Sequence, residues 1–87
     1  MAAQPSRRVL QAAQVDRAHI NVIDADFSHG YPTGAALFYE CLACGDFVPS
    51  FPEHPAGCQC DNVLIDVDAG RLSVKDNRRI RLVELRA

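Results

Sequence analysis

Four cysteines fall in two close pairs, Cys41-Leu42-Ala43-Cys44-Gly45 and Cys58-Gln59-Cys60. The spacing is C-x2-C, thirteen intervening residues, then C-x-C. A tetrahedral ion that favours soft thiolates needs four of them, so the chain must deliver two sulfurs from one tight turn and two from another. C-x2-C followed by glycine suits the first turn. Gly45 can take the left-handed conformation that aims backbone N–H groups at the first cysteine sulfur and spreads its charge. C-x-C is a tighter and rarer second half. The pattern reads as a site for one structural zinc ion held by Cys41, Cys44, Cys58 and Cys60.

Other chemistries fit these residues less well. An iron centre of rubredoxin type uses the same ligand set. Two disulfides would need an oxidising compartment. A thioredoxin-like CxxC needs a βαβ context that the pattern lacks. A catalytic zinc keeps one position open for water, and four cysteines fill the shell. A zinc deaminase needs H-x-E or C-x-E followed by P-C-x-x-C. Here Glu40 directly precedes Cys41 and no proline precedes the C-x2-C. His54, between the pairs, could replace a cysteine or bind a second ion, and reads as an exposed loop histidine. His19 and His29 have no partner spacing suggestive of metal or acid–base work. Asp66-Val67-Asp68-Ala69-Gly70 lacks the third carboxylate and closing glutamate of a calcium loop, and reads as a turn. The chain is therefore expected not to be an enzyme.

These residues sit in a chain of 87 amino acids, enough for one small domain whose core alone is marginal. Such scaffolds usually add a metal, a disulfide or a partner. Apolar content of 48% with 23% charged residues argues against wholesale disorder. The net charge of −2 is unevenly spread: residues 71–87 carry six basic against two acidic side chains, and the rest carries three against nine. A basic end and an acidic body follow. Arg7 and Arg8 have no apolar run behind them, so no secretory signal is expected. No stretch approaches the ~20 apolar residues of a membrane span. The expected setting is cytoplasmic, where thiols stay reduced and metal is favoured over disulfides.

The elements that would position the cysteines can be read along the chain. Arg7–Ala18 could form a short helix with Ser6 as N-cap, on a weak stripe of Leu10, Ala13 and Ala18. His19–Ile23 reads as a short strand and Asp24–Gly34 as loop. Leu37–Leu42 is a strand leading into the first pair, with Phe47-Val48 as its return. Pro49–Gly57 carries three prolines and reads as a stiff loop. Then Val63, Ile65 and Val67 alternate with polar positions, as do Leu72 and Val74, and Ile80 and Leu82, while Val83 and Leu85 follow. With turns at Ala69-Gly70 and Asp76-Asn77, this predicts a three-stranded antiparallel meander with one apolar face. Asp66 and Asp68 would lie near Arg71 and Lys75 across its first turn.

The cysteine pairing resembles the zinc-ribbon superfamily, over Tyr39 to about Asn62 and the hairpin expected after it. The resemblance implies two knuckles at the tips of two hairpins clamping one ion, with Cys41, Cys44, Cys58 and Cys60 at the ligand positions. C-x-C stands where a second C-x2-C is usual. The expected fold is thus a small β-rich zinc ribbon, α+β if the N-terminal segment is helical. It has two cysteine knuckles followed by the meander. Residues 1–36 form an N-terminal arm, partly flexible, and residues 37–87 the ribbon domain. Zinc ribbons do many jobs, so the resemblance implies a fold and not a function.

For function, size, acidity and the absence of a catalytic constellation suggest a zinc-stabilised cytosolic protein-interaction module. By analogy of size and charge it would be a bacterial or mobile-element regulator, inhibitor or immunity-type protein. Phe47, Val48, Phe51 and the three prolines form an apolar, rigid lobe, so Phe47 and Phe51 are candidates to meet a protein partner. The opposing outcome is that both rings fold back over the knuckles. Arg78, Arg79 and Arg81 could meet an acidic protein or grip phosphates, which gives the alternative of a nucleic-acid-binding ribbon. The six aromatic residues all lie earlier in the chain, so stacking partners near these arginines are lacking. Monomer and edge-strand homodimer are both compatible with such a sheet.

Overall fold

Seven short strands form, all but the two-residue β4 rich in branched or aromatic side chains, in a computed structural model that describes residues 9–51, 55–66 and 71–85. They are β1 (Ile20–Ile23), β2 (Leu37–Cys41), β3 (Phe47–Pro49), β4 (Ala56–Gly57), β5 (Val63–Asp66), β6 (Arg71–Val74) and β7 (Ile80–Leu85). All pairings are antiparallel: a four-stranded sheet in the order β1-β7-β2-β3, and a three-stranded sheet in the order β4-β5-β6. The protein is thus β-rich with two sheets. No helix among the described residues is long and apolar enough to cross a membrane.

The larger core cluster draws on both sheets. Tyr39, Cys41, Val48, Ile80 and Leu82 come from the first; Val63 and Ile65 come from the second, with Cys58 beside them. On the opposite face of the first sheet, Phe38, Phe47 and Val83 form a second cluster with Leu10. Leu10 reaches it through a β-bridge, exchanging backbone hydrogen bonds with Phe47 at 2.8 and 2.7 Å. The edge position of β3 explains why it tolerates Pro49, which can donate no ladder hydrogen bond.

Two expectations are corrected. The three-stranded meander does not form: β5 and β6 make the expected hairpin, but β7 leaves them and inserts between β1 and β2. The reason lies in the break of alternation at Leu82-Val83. Ile80 and Leu82 enter one core cluster and Val83 the other, so β7 is buried on both faces and belongs in a sheet centre. The Asp76-Asn77 turn is correspondingly not a two-residue hairpin. Asp76 caps a 3-10 turn at Asn77–Arg79, accepting the Arg78 N–H, and this turn carries the chain from one sheet to the other.

The N-terminal helix is also absent among the described residues. Its place is taken by single 3-10 turns at Ala12–Gln14 and Arg17–His19. A helix of about twelve residues needs a docked apolar face. Here Leu10 is committed to the β-bridge, and the Asp16 carboxylate accepts the Ala18 N–H at 2.9 Å, a local turn that competes with helix. Ser6, the N-cap candidate, lies outside the described residues. So do His54, residues 67–70 of the calcium-loop and turn readings, and with Asp68 part of the expected cross-strand charge pairing.

The loop between β1 and β2 is ordered by aromatic packing. Asp26 caps a 3-10 turn at Phe27–His29, and Phe27 stacks on Tyr31 at a centroid separation of 5.4 Å. Both rings lean on Tyr39, at 5.9 and 6.1 Å. The Tyr39 hydroxyl donates to the Pro32 carbonyl and the Tyr31 hydroxyl to the Asn77 side chain. Burial, with Tyr31 alongside, holds Tyr39 protonated well above the usual phenol range.

Candidate metal centre

Each cysteine pair sits at the tip of a hairpin. Cys41 ends β2, and the turn to β3 closes when Cys41 N–H donates to the Asp46 carbonyl and Gly45 N–H donates to the Cys41 carbonyl, both at 2.8 Å. Gly45 has φ +84°, the left-handed conformation that its lack of a side chain permits. Between β4 and β5 the second turn closes through Cys58 N–H to the Val63 carbonyl at 3.1 Å and Asp61 N–H to the Cys58 carbonyl at 3.0 Å. Here the left-handed position, φ 63°, falls on Asp61, a residue type that tolerates it.

The two tips bring all four sulfurs within 4.8 Å of one another. Cys60 Sγ lies 3.5 Å from Cys41 Sγ and 3.6 Å from Cys58 Sγ. Sulfurs bound at ~2.3 Å around a tetrahedral ion lie roughly 3.8 Å apart, so the cluster has the dimensions of a metal site. The cysteines are unbridged. Cys41 and Cys58 are buried, Cys44 is half-buried and Cys60 is exposed.

The backbone around the cluster is arranged for thiolates. Cys41 sulfur receives the N–H groups of Cys44 and Ala43, Cys44 those of Asp46 and Cys60, and Cys60 that of Asn62. Val63 N–H donates to Cys58 Sγ at 3.3 Å. Burial opposes the Cys41 thiolate, yet the Cys44 and Ala43 N–H groups and the neighbouring thiols outweigh it and bring its pKa from 9.0 down to about 7. Cys44 moves the other way, because burial outweighs its donors. At Cys60 the Asn62 N–H favours the thiolate, but partial desolvation and the sulfurs of Cys41, Cys58 and Cys44 push its pKa up to about 12. The Cys41 thiolate forms readily, while Cys44 and Cys60 hold their protons until a cation balances the charge.

Two polar residues to which the sequence assigned no role at the cluster tie the tips together. Asp46, buried, accepts the Gln59 N–H at 2.9 Å and so joins the first turn to the second. Asn62, also buried, accepts the Asp76 N–H at 2.8 Å through Oδ1. Its Nδ2 faces the carbonyls of Asp76 and Arg79, both at 3.4 Å, and Cys41 Sγ at 3.9 Å. Leu42 N–H donates to the Arg79 carbonyl at 2.8 Å. The β6–β7 link is thereby fastened onto the cluster. Asparagine directly after C-x-C-D carried no signal of this role, because its side-chain partners lie 14 to 21 residues away in sequence.

The candidate partner residues are distributed differently from expectation. Phe47 is fully buried between Leu10, Phe38 and Val83, so it is core and not a surface contact. Phe51 is 63% exposed. Arg81 faces Glu40 across β7 and β2 and pairs with it at 3.1 Å; the Glu40 side chain is only 4% exposed. Arg81 is thus committed to a buried carboxylate. Arg78 and Arg79 remain outside, each 3.4–3.5 Å from the Asp76 carboxylate they share. The Arg78 N–H above all, with both guanidinium charges, holds Asp76 below the usual carboxylate range.

Comparison of the chain with protein-family models, with curated proteins and with solved structures finds no match.

Proposed function

We propose that this chain is a small protein-interaction module, not an enzyme, stapled by one structural zinc ion on Cys41, Cys44, Cys58 and Cys60. The observation that carries the reading is the convergence of two hairpin tips on one four-sulfur cluster with N–H donors at its sulfurs. Four thiolates complete a tetrahedral shell, which is the structural type of zinc site. Zinc precedes ferrous iron in affinity for such a site, since divalent affinity rises along the series from iron to copper and zinc lies above iron. Paired cysteines at the tips of β2–β3 and β4–β5 support the zinc-ribbon reading. Free thiols in this number suit a reducing compartment such as the cytoplasm.

The interaction role rests on what the fold leaves outside. Phe51 and Leu42 are exposed apolar side chains, and Leu42 adjoins the turn that carries Arg78 and Arg79. The exposed Leu42 beside this basic turn suits an acidic protein partner, in a regulator, inhibitor or immunity-type role, while the exposed Phe51 lies toward the other end of the β2–β3 hairpin. With Arg81 held by Glu40, the nucleic-acid reading keeps only two of its three arginines. Retention of the zinc-loaded protein on heparin separates the readings. The interaction module elutes at low salt, whereas tight retention lost in an Arg78→Ala/Arg79→Ala variant overturns it in favour of nucleic acid.

A further inference from the structure

The four sulfurs are unequal in a way that bears on oxidants. Cys41 and Cys58 are buried and Cys44 is half-buried, but Cys60 stands open to solvent on the β4–β5 turn. Its sulfur is 3.5 Å from that of Cys41, which belongs to the other sheet. We infer that Cys60 is a modification site for peroxides, and that oxidation there converts the metal-loaded cluster into a Cys41–Cys60 disulfide with release of the ion. The inference rests on the metal reading above.

In the first step the Cys60 thiolate attacks one oxygen of a hydroperoxide; an S–O bond forms, the O–O bond breaks and hydroxide or alkoxide leaves. The resulting sulfenic acid is no longer an anionic thiolate ligand. The Cys41 thiolate then attacks the Cys60 sulfur, forming the S–S bond as the S–O bond breaks and hydroxide leaves. Two thiolates have given up two electrons and the peroxide has taken them. Cys44 and Cys58 alone leave the ion with half its ligands, and it dissociates. Cys58 is nearly as close to Cys60, at 3.6 Å, but a disulfide between residues two apart closes a small strained ring. The Cys41–Cys60 bridge keeps β2 tied to the β4–β5 turn, so the two sheets stay joined after the ion is lost. A dithiol and fresh zinc reverse the change.

The test uses the full chain loaded with zinc, with metal measured before any oxidant is added. Hydrogen peroxide is then added with a chromogenic zinc chelator present, and the product is cleaved after Asp46, Glu53 and Asp61 to separate the two cysteine pairs. The expected result is stoichiometric metal release and one disulfide joining the two pairs, mapped by fragmentation to Cys41 and Cys60. With limiting N-ethylmaleimide on the loaded protein, the first adduct falls on Cys60. A protein that takes up no zinc overturns the metal reading itself. A zinc-loaded protein that keeps its metal under peroxide, links Cys58 to Cys60, or takes its first adduct elsewhere overturns this inference and leaves the metal reading standing.

Discussion

A thiolate cluster is built one donor at a time, and the residues that matter most are those that hold the donors still. Gly45 is the sharpest case. Its φ of +84° is reached without strain only by glycine, and the space beside it is open, the nearest atom to an added Cβ being Ala12 Cβ at 3.9 Å. Gly45→Ala is therefore expected to cost about 1–2 kcal/mol through the backbone and not through a clash, and chemical denaturation of the zinc-loaded variant measures it. Asp61 makes the complementary case: at φ 63°, Asp61→Gly should be neutral or slightly stabilising, and Asp61→Val destabilising. The sulfur pKa values set a pH dependence. With the Cys60 pKa raised to about 12 and Cys44 also raised, both hold protons at pH 7 in the gathered metal-free cluster. Zinc must displace them, so the stability that metal confers is present at high pH and lost as pH falls. With at least these two protons displaced, the binding constant is expected to fall about 100-fold or more per pH unit of acidification near pH 7. Competition titrations at three pH values read the slope; a change below about tenfold per unit contradicts the account.

At the scale of elements, the placement of β7 decides the architecture. Its residues were legible as a strand, and so were β2, β3, β5 and β6, because alternation and β-branched composition are local signals. Its partner was not. Val83 after Leu82 already broke the one-sided pattern, but the strands that flank β7 are β1 and β2, far earlier in the chain. The knuckle residues were legible for the same local reason: spacing and Gly45 are properties of short segments. Asn62, Asp46 and the Glu40–Arg81 pair were not, since each acts on a residue distant in sequence. Phe47 and Phe51 illustrate the limit, being four residues apart and equally apolar. Only packing against Leu10, Phe38 and Val83, all outside its own strand, makes the first core. Phe47→Ala should cost about 3–5 kcal/mol, whereas Phe51→Ala should leave stability within about 0.5 kcal/mol and act on partner binding alone. Thermal or denaturant unfolding of the two variants separates these outcomes.

For the whole molecule, the candidate metal centre is the point where both sheets and the β6–β7 link meet. A structural zinc held by four thiolates contributes on the order of 10–16 kcal/mol of binding free energy in small domains. A chain of this length has a total stability of roughly 4–13 kcal/mol. The first figure matches or exceeds the second, so metal removal should unfold much of the domain, and Cys44→Ser should behave like chelation. Circular dichroism of the chelated protein and of the variant checks both. The lopsided charge takes on a second sense here. Four thiolates around one dication carry a net charge of about −2, and the basic turn of Arg78 and Arg79 is fastened beside them through Asn62 and Leu42.

Native mass spectrometry of the full chain, purified with zinc supplied and with metal quantified on the same sample, tests the central claim most directly. The account predicts one zinc ion per chain and four thiols that react with alkylating agent in full only after chelation. A folded protein that binds no metal while its four thiols are freely reactive would contradict it.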